Sequence, residues 1–139
     1  MEALSKNILG KDLKQVENPF KSSKLIGLYF SAHWCPPCKA FTPVLADFYN
    51  KVNANEKIIE IIFVSCDKDA NQFKDYYNEM PWLTLPYGDE RQESLSDEYG
   101  CQGIPYLVIL NSDGSIVTKT GRDDVKSSGE AAINKWLGK

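Results

Sequence analysis

Two cysteines separated by two prolines, in the segment WCPPC at residues 34–38, are the residues of this sequence best suited to chemistry. A thiolate attacks disulfides, and a second thiol three residues away can displace the mixed disulfide that forms. Consecutive prolines fit the first turn of a helix, where N–H groups lack intrahelical partners. With Pro36 and Pro37 at a helix start, the motif predicts Cys35 as an exposed nucleophile and Cys38 as a shielded resolving thiol.

Zinc binding is the alternative chemistry for the same motif, and it requires four ligands. The other candidate ligands, Cys66, Cys101 and His33, provide no second CxxC and no HxxxH spacing. A CxxC beside strand–helix patterning favours redox chemistry, so we expect no metal and no cofactor beyond a Cys35–Cys38 disulfide. Cys66 and Cys101 are interpreted as small hydrophobic residues, and His33 as an exposed neighbour of the site.

The elements around the motif follow a strand–helix–strand order. The apolar run LIGLYFSA at residues 25–32 is typical of a buried strand, and helical spacing follows it to residue 52, with Pro43 in the interior. A second buried strand is predicted over residues 58–66 and a helix over 71–80. The following segment, MPWLTLPYGDE, is expected to be irregular because it contains two prolines.

The remainder of the chain predicts an antiparallel end to the fold. The sequence NSDG separates two β-prone runs and indicates a hairpin. The order β-α-β-α-(α)-β-β-α indicates a single α/β domain. The predicted elements are a short helix over 93–100, hairpin strands over 105–110 and 115–120, a last helix over 125–137, and a strand or turn within residues 1–23, where Asn18, Pro19, Ser22 and Ser23 are the breakers.

Composition restricts the class of protein. The chain has 139 residues, 42% hydrophobic and 25% charged, with a net charge of −3. These values fit one soluble globular domain and give no general attraction to nucleic acid or to anionic membranes. No segment is predicted to act as a signal peptide or a membrane span, so we expect a cytoplasmic or nuclear protein.

Three segments together, YFSAHWCPPCKAFTPVL, EMPWLTLPY and YGCQGIPYLVIL, resemble the tryparedoxin/nucleoredoxin family of the thioredoxin superfamily. The resemblance covers about residues 25–122 and is highly specific. It implies an α/β fold, a thioredoxin-like three-layer α/β/α sandwich with a central mixed β-sheet. The single domain would then consist of an N-terminal extension, residues 1–23, and a core, residues 24–139. The implied activity is dithiol–disulfide exchange.

The resemblance also implies roles for individual residues. Trp34 would lie beside the thiols, and Ile104 with Pro105 would form the cis-proline site that pairs with the substrate. Tyr29 stands where thioredoxins have a buried, proton-transferring Asp, so Asp67 becomes the matching carboxylate. Asp67 could alternatively cap the next helix. Arg122 matches a tryparedoxin arginine in a substrate-binding position, although an exposed loop arginine is often only solvated.

The implied partners are protein disulfides or peroxiredoxin-type peroxidases, with thioredoxin reductase, glutathione or trypanothione as the reductant and a monomeric state. Tryparedoxins have a Trp-Asp-Glu run where this chain has Cys66, Asp67 and Lys68. Lys68 would repel a cationic polyamine donor, which favours a nucleoredoxin-like protein-disulfide reductase over a trypanothione-fed one. The alternative function is a redox-gated binding module with little turnover. Disulfide isomerase activity is disfavoured because no signal peptide is predicted.

Overall fold

A mixed sheet of seven strands organises the part of the chain that the computed structural model describes, which is residues 7–10, 13–17, 20 and 23–138. The strand order is β2-β1-β5-β4-β3-β6-β7. Strand β3 pairs in parallel with β4, which pairs in parallel with β5, and β6 and β7 continue the sheet as antiparallel strands. The strands are β1 (Ile8–Leu9), β2 (Gln15–Val16), β3 (Leu25–Ser31), β4 (Ile59–Ser65), β5 (Leu83–Thr84), β6 (Tyr106–Asn111) and β7 (Ile116–Thr118).

The two faces of the sheet are covered by different helices. Alternate side chains of a strand point to opposite faces, so Tyr29 joins one core cluster and its neighbour Phe30 joins the other. Helices α1, α2, α4 and α5 contribute to the cluster around Tyr29, and α3 contributes to the other. The fold is therefore the expected three-layer thioredoxin-like sandwich. The helices are α1 (Pro36–Val52), α2 (Ala70–Tyr77), α3 (Arg91–Glu98), α4 (Gly121–Ser128) and α5 (Ala132–Trp136).

The sequence prediction is confirmed for the central strands, helix α1 and the final hairpin, and it is wrong at two places. The segment predicted to be irregular contains β5, because Leu83 and Thr84 pair with Ile62 and Phe63 of β4.

The single helix predicted over residues 125–137 is the second error, because two helices and a 3-10 turn stand there. Helix α4 begins at Gly121, where a Cβ atom would lie 2.8 Å from Leu107 Cγ, so only glycine allows this close approach to β6. Helix α4 ends at Ser128, and the next residue, Gly129, has a φ of 56°, which is left-handed and favours glycine.

Part of the range assigned to an N-terminal extension belongs to the sheet. Ile8 is fully buried in the core, and Leu9 pairs with Thr84. Strands β1 and β2 thus form an antiparallel pair at one edge. The breakers Asn18, Pro19 and Ser22 lie outside the described residues.

Candidate dithiol site

The candidate site lies at one edge of the sheet because of its strand directions. The parallel strands β3 and β4 end side by side, at Ser31 paired with Ser65. Strand β6 runs antiparallel to β3, so its first residue, Tyr106, pairs with Phe30 near the same end. The segments that follow β3 and β4 and the one that precedes β6 therefore meet, as ligand sites in α/β folds commonly do.

The CPPC motif forms the predicted loop-to-helix transition. Cys35 is the residue before α1, with extended backbone angles of φ −99° and ψ 110°, and Pro36 and Pro37 occupy the first two helical positions. Cys38 is completely buried, as predicted for the shielded thiol, whereas Cys35 retains 6% exposure. Cys35 is thus much less exposed than predicted, because Ala32 and Ile104 pack around the two thiols.

The two thiols have different environments. The Cys35 thiol lies 3.8 Å from the Ile104 carbonyl oxygen, to which it donates, and the Ile104–Pro105 peptide bond is cis as expected. Burial, with a smaller contribution from the side-chain hydrogen bond to Cys35, raises the pKa of Cys38 to about 12. Cys38 is therefore a neutral thiol at neutral pH and is poorly suited to be the first attacking group.

A buried chain of hydroxyl groups extends from Cys38 into the core. The Tyr76 hydroxyl lies 2.5 Å from both Ser31 Oγ and Thr42 Oγ1, and Thr42 also lies 2.8 Å from the Tyr29 hydroxyl. Thr42 donates to the Cys38 carbonyl at 2.9 Å. A hydrogen bond from the Ser31 hydroxyl to the ionised Cys38 sulfur lowers the pKa of Cys38, against the larger effect of burial. Tyr29 is thus at the far end of the chain from the thiol.

Asp67 holds the backbone of the loop that carries the motif. Its carboxylate accepts the His33 N–H at 2.6 Å and the Ser65 hydroxyl at 2.8 Å, and it is 9% exposed. The residue that caps α2 is not Asp67 but Asp69, whose side chain accepts the Gln72 N–H at 2.8 Å. The capping alternative for Asp67 is therefore wrong.

His33 is only partly exposed, in contrast to the expectation. Its ring packs at 5.5 Å from the ring of Tyr76, and Nε2 lies 3.9 Å from the Glu79 carboxylate. The imidazole therefore faces α2 and its C-terminal side.

Trp34 lies over the loop that follows β4. Its indole N–H donates to the Cys66 carbonyl at 3.1 Å, and 47% of the residue remains exposed. The Lys68 ammonium group stands 5.2 Å from the centre of its ring, a distance suited to a cation–π contact. The structure thus places Lys68 directly on the exposed aromatic surface beside the thiols.

Arg122 reaches the site from the first turn of α4. Its Nη1 donates to the Pro105 carbonyl at 3.4 Å, and its buried Nε has no hydrogen-bond partner among the residues that the structure describes. With Pro37 and Lys126 it lines a pocket of about 140 Å³ beside the start of α1. The structure thus brings Arg122 next to the cis-proline, although the two are far apart in the sequence.

Four side chains of this site were missed by the sequence analysis: Ser31, Thr42, Tyr76 and Gln92, whose side-chain amide donates to Cys66 Sγ at 3.6 Å. Thr42 had a signal, since it follows Cys38 by four residues on the apolar face of a helix. Ser31 also had one, as a polar residue that ends an apolar strand. No sequence signal pointed to Tyr76 or Gln92, because their positions depend on how α2 and α3 pack against the sheet.

Within residues 7–10, 13–17, 20 and 23–138, no three His, Cys, Asp or Glu side chains are grouped so that they could hold a metal ion. In the same residues, no helix has the length and apolar character needed to cross a bilayer.

Comparison with known proteins gives a consistent family match. A thioredoxin-like family model matches residues 23–116. The chain is 46% identical to the probable nucleoredoxin 1 of Arabidopsis thaliana, over 90% of this chain and 22% of that protein. It is 40% identical to human nucleoredoxin, over 97% of this chain and 31% of that protein. The chain thus spans only about a fifth to a third of the nucleoredoxins it matches.

Tryparedoxins match over most of their own length. The tryparedoxin of Trypanosoma brucei brucei is 42% identical over 81% of this chain and 79% of that protein. A solved structure of tryparedoxin II complexed with glutathionylspermidine has a TM-score of 0.83, 42% identity, and coverage of 91% of this chain and 89% of that one. Another, tryparedoxin from Trypanosoma brucei, has a TM-score of 0.84, 36% identity, and coverage of 95% and 92%.

Proposed function

The chain belongs to the thioredoxin-like family that includes the nucleoredoxins and tryparedoxins, and we propose that its 139 residues act as one thiol–disulfide oxidoreductase domain. The observation that carries this proposal is the asymmetry of the CPPC pair. Cys35 stands at the start of α1 beside the backbone of the cis-proline, and Cys38 is fully enclosed with a raised pKa. Such a pair can separate attack from resolution.

The proposed reaction has two exchange steps. The Cys35 thiolate attacks one sulfur of a substrate disulfide, forms a mixed disulfide and releases the first substrate thiolate. Cys38 then loses its proton, attacks Cys35 Sγ and releases the second substrate thiolate. The products are a Cys35–Cys38 disulfide and two substrate thiols, which have gained two electrons and two protons.

The surroundings of Cys35 support a substrate-binding role for the cis-proline segment and its neighbours. Ile104 and Pro105 would align the substrate backbone beside the Cys35 sulfur. Trp34 offers an exposed aromatic surface on one side. Arg122, whose Nε has no hydrogen-bond partner in the described part of the chain, would contribute positive charge on the other side.

The contacts of Asp67 and Tyr29 support positioning roles. Both oxygens of the Asp67 carboxylate are used by His33 and Ser65, so this residue would keep the loop in place. Tyr29 bonds to Thr42 and would support the hydroxyl chain from its far end.

The reductant and the acceptor are proposed by chemical class. The acceptors would be protein disulfides or peroxiredoxin-type peroxidases, reached by a monomer in the cytoplasm or nucleus. The reductant would be thioredoxin reductase, glutathione or trypanothione. A similar solved tryparedoxin II is complexed with glutathionylspermidine, which supports a glutathione-containing thiol as one donor. The positive charge of Lys68, beside Trp34, disfavours a polycationic donor.

Replacing Lys68 with glutamate is expected to increase the rate of reduction by trypanothione about three- to tenfold at low ionic strength. The change removes a repulsive charge next to Trp34 and adds an attractive one. In salt near 0.1 M, interactions between exposed charges more than about 10 Å apart are largely screened, so the increase should be smaller there. The measurement is the rate of reduction of the oxidised protein at two salt concentrations.

Two variants serve as controls for this experiment. Lys68→Gln removes the charge and the contact with Trp34 without adding an acid, and is expected to give an intermediate rate. Lys74→Glu makes the same charge reversal at an exposed position of α2 that borders a different pocket, with Leu13 and Asn78. Equal acceleration by Lys68→Glu and Lys74→Glu would show that only net charge matters.

Insulin reduction with dithiothreitol as the reductant tests the proposed function. An oxidoreductase should give catalytic turnover that Cys35→Ser abolishes, and turnover with each of the three donors in parallel would identify the reductant. The second candidate function, a redox-gated binding module, is favoured by the exposed Trp34 surface beside the thiols. Stoichiometric thiol release without turnover would support that candidate and reject the first.

A further inference from the structure

The pocket between the start of α1 and the start of α4 has no occupant in the proposed reaction. Its volume is about 140 Å³. Sites for small-molecule ligands usually measure roughly 300–1,000 Å³, so this pocket suits a single side chain better than a whole ligand. The residues that line it are Pro37, Ala40, Phe41 and Val44 of α1 and Arg122 and Lys126 of α4.

The pocket lies next to the backbone that contacts the attacking thiol. The Cys35 thiol donates to the Ile104 carbonyl, and the next carbonyl along the chain, that of Pro105, accepts from Arg122 Nη1 at 3.4 Å. Pro37, two residues after Cys35, belongs to the wall on the α1 side. A substrate whose disulfide reaches Cys35 would therefore place residues close to its own cysteine beside the pocket.

The α4 side of the pocket is positively charged. Arg122 and Lys126 are four residues apart on one helix, so their side chains lie on the same face. In the part of the chain that the structure describes, neither side chain forms an ion pair. The buried acid of α4, Asp124, is engaged elsewhere, with Trp136 Nε1 at 3.0 Å and Lys135 Nζ at 3.4 Å.

The guanidinium group of Arg122 is short of hydrogen-bond acceptors. Its buried Nε has none among the described residues. A buried donor of a charged group that lacks an acceptor costs free energy, and a carboxylate can supply two acceptor oxygens to one guanidinium group.

The α1 side of the pocket is apolar. Phe41 is buried, whereas Val44 keeps 46% of its surface exposed although it is a large hydrophobic residue. A side chain that combines methylene groups with a terminal anion would match both sides of the pocket, because its stem would cover Val44 while its end reached Arg122.

We infer that this pocket binds the carboxylate side chain of a glutamate or aspartate that lies close to the reacting cysteine of a protein substrate. Arg122 would bind the carboxylate through hydrogen bonds, and Lys126 would add a second positive charge one turn further along α4. This inference rests on the proposed function, because the acidic residue arrives as part of the disulfide substrate.

The attraction is local and not a property of the whole chain. The chain has a net charge of −3, which gives it no general affinity for acidic proteins. Lys68 adds positive charge on the Trp34 side of the thiols, so the selectivity of the pocket must be distinguished from that of Lys68 by position.

Disulfide-bridged peptides that differ in one residue test the inference. Each peptide carries a fluorophore and a quencher that separate on reduction, and a glutamate is placed in turn at each of three positions on either side of the reacting cysteine. Matched peptides carry glutamine or leucine instead. At one of these positions the wild type is expected to reduce the glutamate peptide about tenfold faster than the glutamine peptide, because a hydrogen bond to a charged group contributes at least about that factor.

Matched variants assign the selectivity to the pocket. Arg122→Gln should abolish the preference for glutamate, and Lys126→Gln should lower it about threefold, since an exposed ion pair contributes less. Ala40→Leu fills the pocket without changing charge, retains a good helix former and should also abolish the preference. Lys74→Gln removes the same charge at an exposed position of α2 that borders a different pocket, and should leave the preference unchanged. A thermal melt of each variant checks folding.

The outcomes separate the inference from the proposed function. If the wild type reduces none of the peptides, the proposed function is rejected. If it reduces them but shows no preference for glutamate at any position, or prefers leucine, only the inference is overturned. An equal loss of preference in Lys74→Gln and Lys126→Gln would overturn it as well, because net charge alone would then explain the selectivity. Slower reduction of glutathione disulfide by Lys126→Gln, with the glutamate preference intact, would assign the pocket to a glutathione carboxylate instead.

Discussion

Replacing Cys38 with serine is expected to turn the protein into a trap for its substrates. Cys35 can still attack a disulfide, but the thiol that would release the product is absent, so the mixed disulfide persists until dithiothreitol cleaves it. With a chromogenic aromatic disulfide, the variant should release about one equivalent of aromatic thiol rapidly, whereas the wild type releases two. From a cell extract, the trapped partners can be identified by mass spectrometry.

The complementary change, Cys35→Ser, is expected to lower insulin reduction at least about a thousandfold and to trap nothing. The reason is that the remaining thiol of the motif is completely buried and has a pKa near 12. Loss of the attacking group typically removes nearly all of the catalysis that depends on it.

Cys66→Ser and Cys101→Ser in the Cys38→Ser background are the controls, because they show that trapped partners are bound to Cys35 and not to a neighbouring thiol. Trapping by Cys35→Ser alone would mean that the two roles are reversed. Equal trapping by both single variants would mean that Cys38 is accessible to protein substrates, against its burial.

Replacing Ser31 with alanine is expected to slow the resolving step about tenfold and to leave the attacking step within about twofold of the wild type. The Ser31 hydroxyl lowers the pKa of Cys38, so its loss should raise that pKa and reduce the thiolate fraction at any pH below it. A hydrogen bond to a charged group contributes about 1.5 kcal/mol, which is about one pKa unit. The release of the first and second aromatic thiol from a chromogenic disulfide reports the two steps separately.

The hydroxyl chain gives a graded control for this result. Tyr76 lies 2.5 Å from Ser31 and can donate to it while Ser31 donates to the ionised Cys38 sulfur. Tyr76→Phe is therefore expected to slow resolution by a smaller factor, and Tyr29→Phe, which removes the hydroxyl farthest from the thiol, to have little effect. A structural disturbance of the site would instead slow both steps, and that outcome would contradict the assigned role of Ser31.

The sequence was sufficient for the local features of the site. Two prolines between two cysteines fit a helix start, and the structure confirms a helix that begins at Pro36. The apolar runs at residues 25–32 and 58–66 predicted buried strands, and the cis bond before Pro105 followed from the family resemblance. These features were predictable because they depend on backbone geometry and hydrogen-bond donors within a few residues of the chain.

Features that depend on distant contacts were not predictable in the same way. Asp67 had two interpretations in the sequence, and the structure gave it a third, because the ends of β3 and β4 bring it to the His33 N–H. Strand β5 is two residues long and exists through its pairing with β4. A two-residue strand has no periodicity of its own, so its existence is a property of the sheet.

The composition of the site itself was decided by the tertiary structure. The sequence alone determined that Cys35 and Cys38 would occupy one helix start. Only the packing of α2 and α3 on opposite faces of the sheet placed Tyr76 behind Cys38 and the Gln92 amide against Cys66 Sγ. The physical reason is that local sequence sets which elements form, whereas their burial against one sheet sets which of their side chains meet.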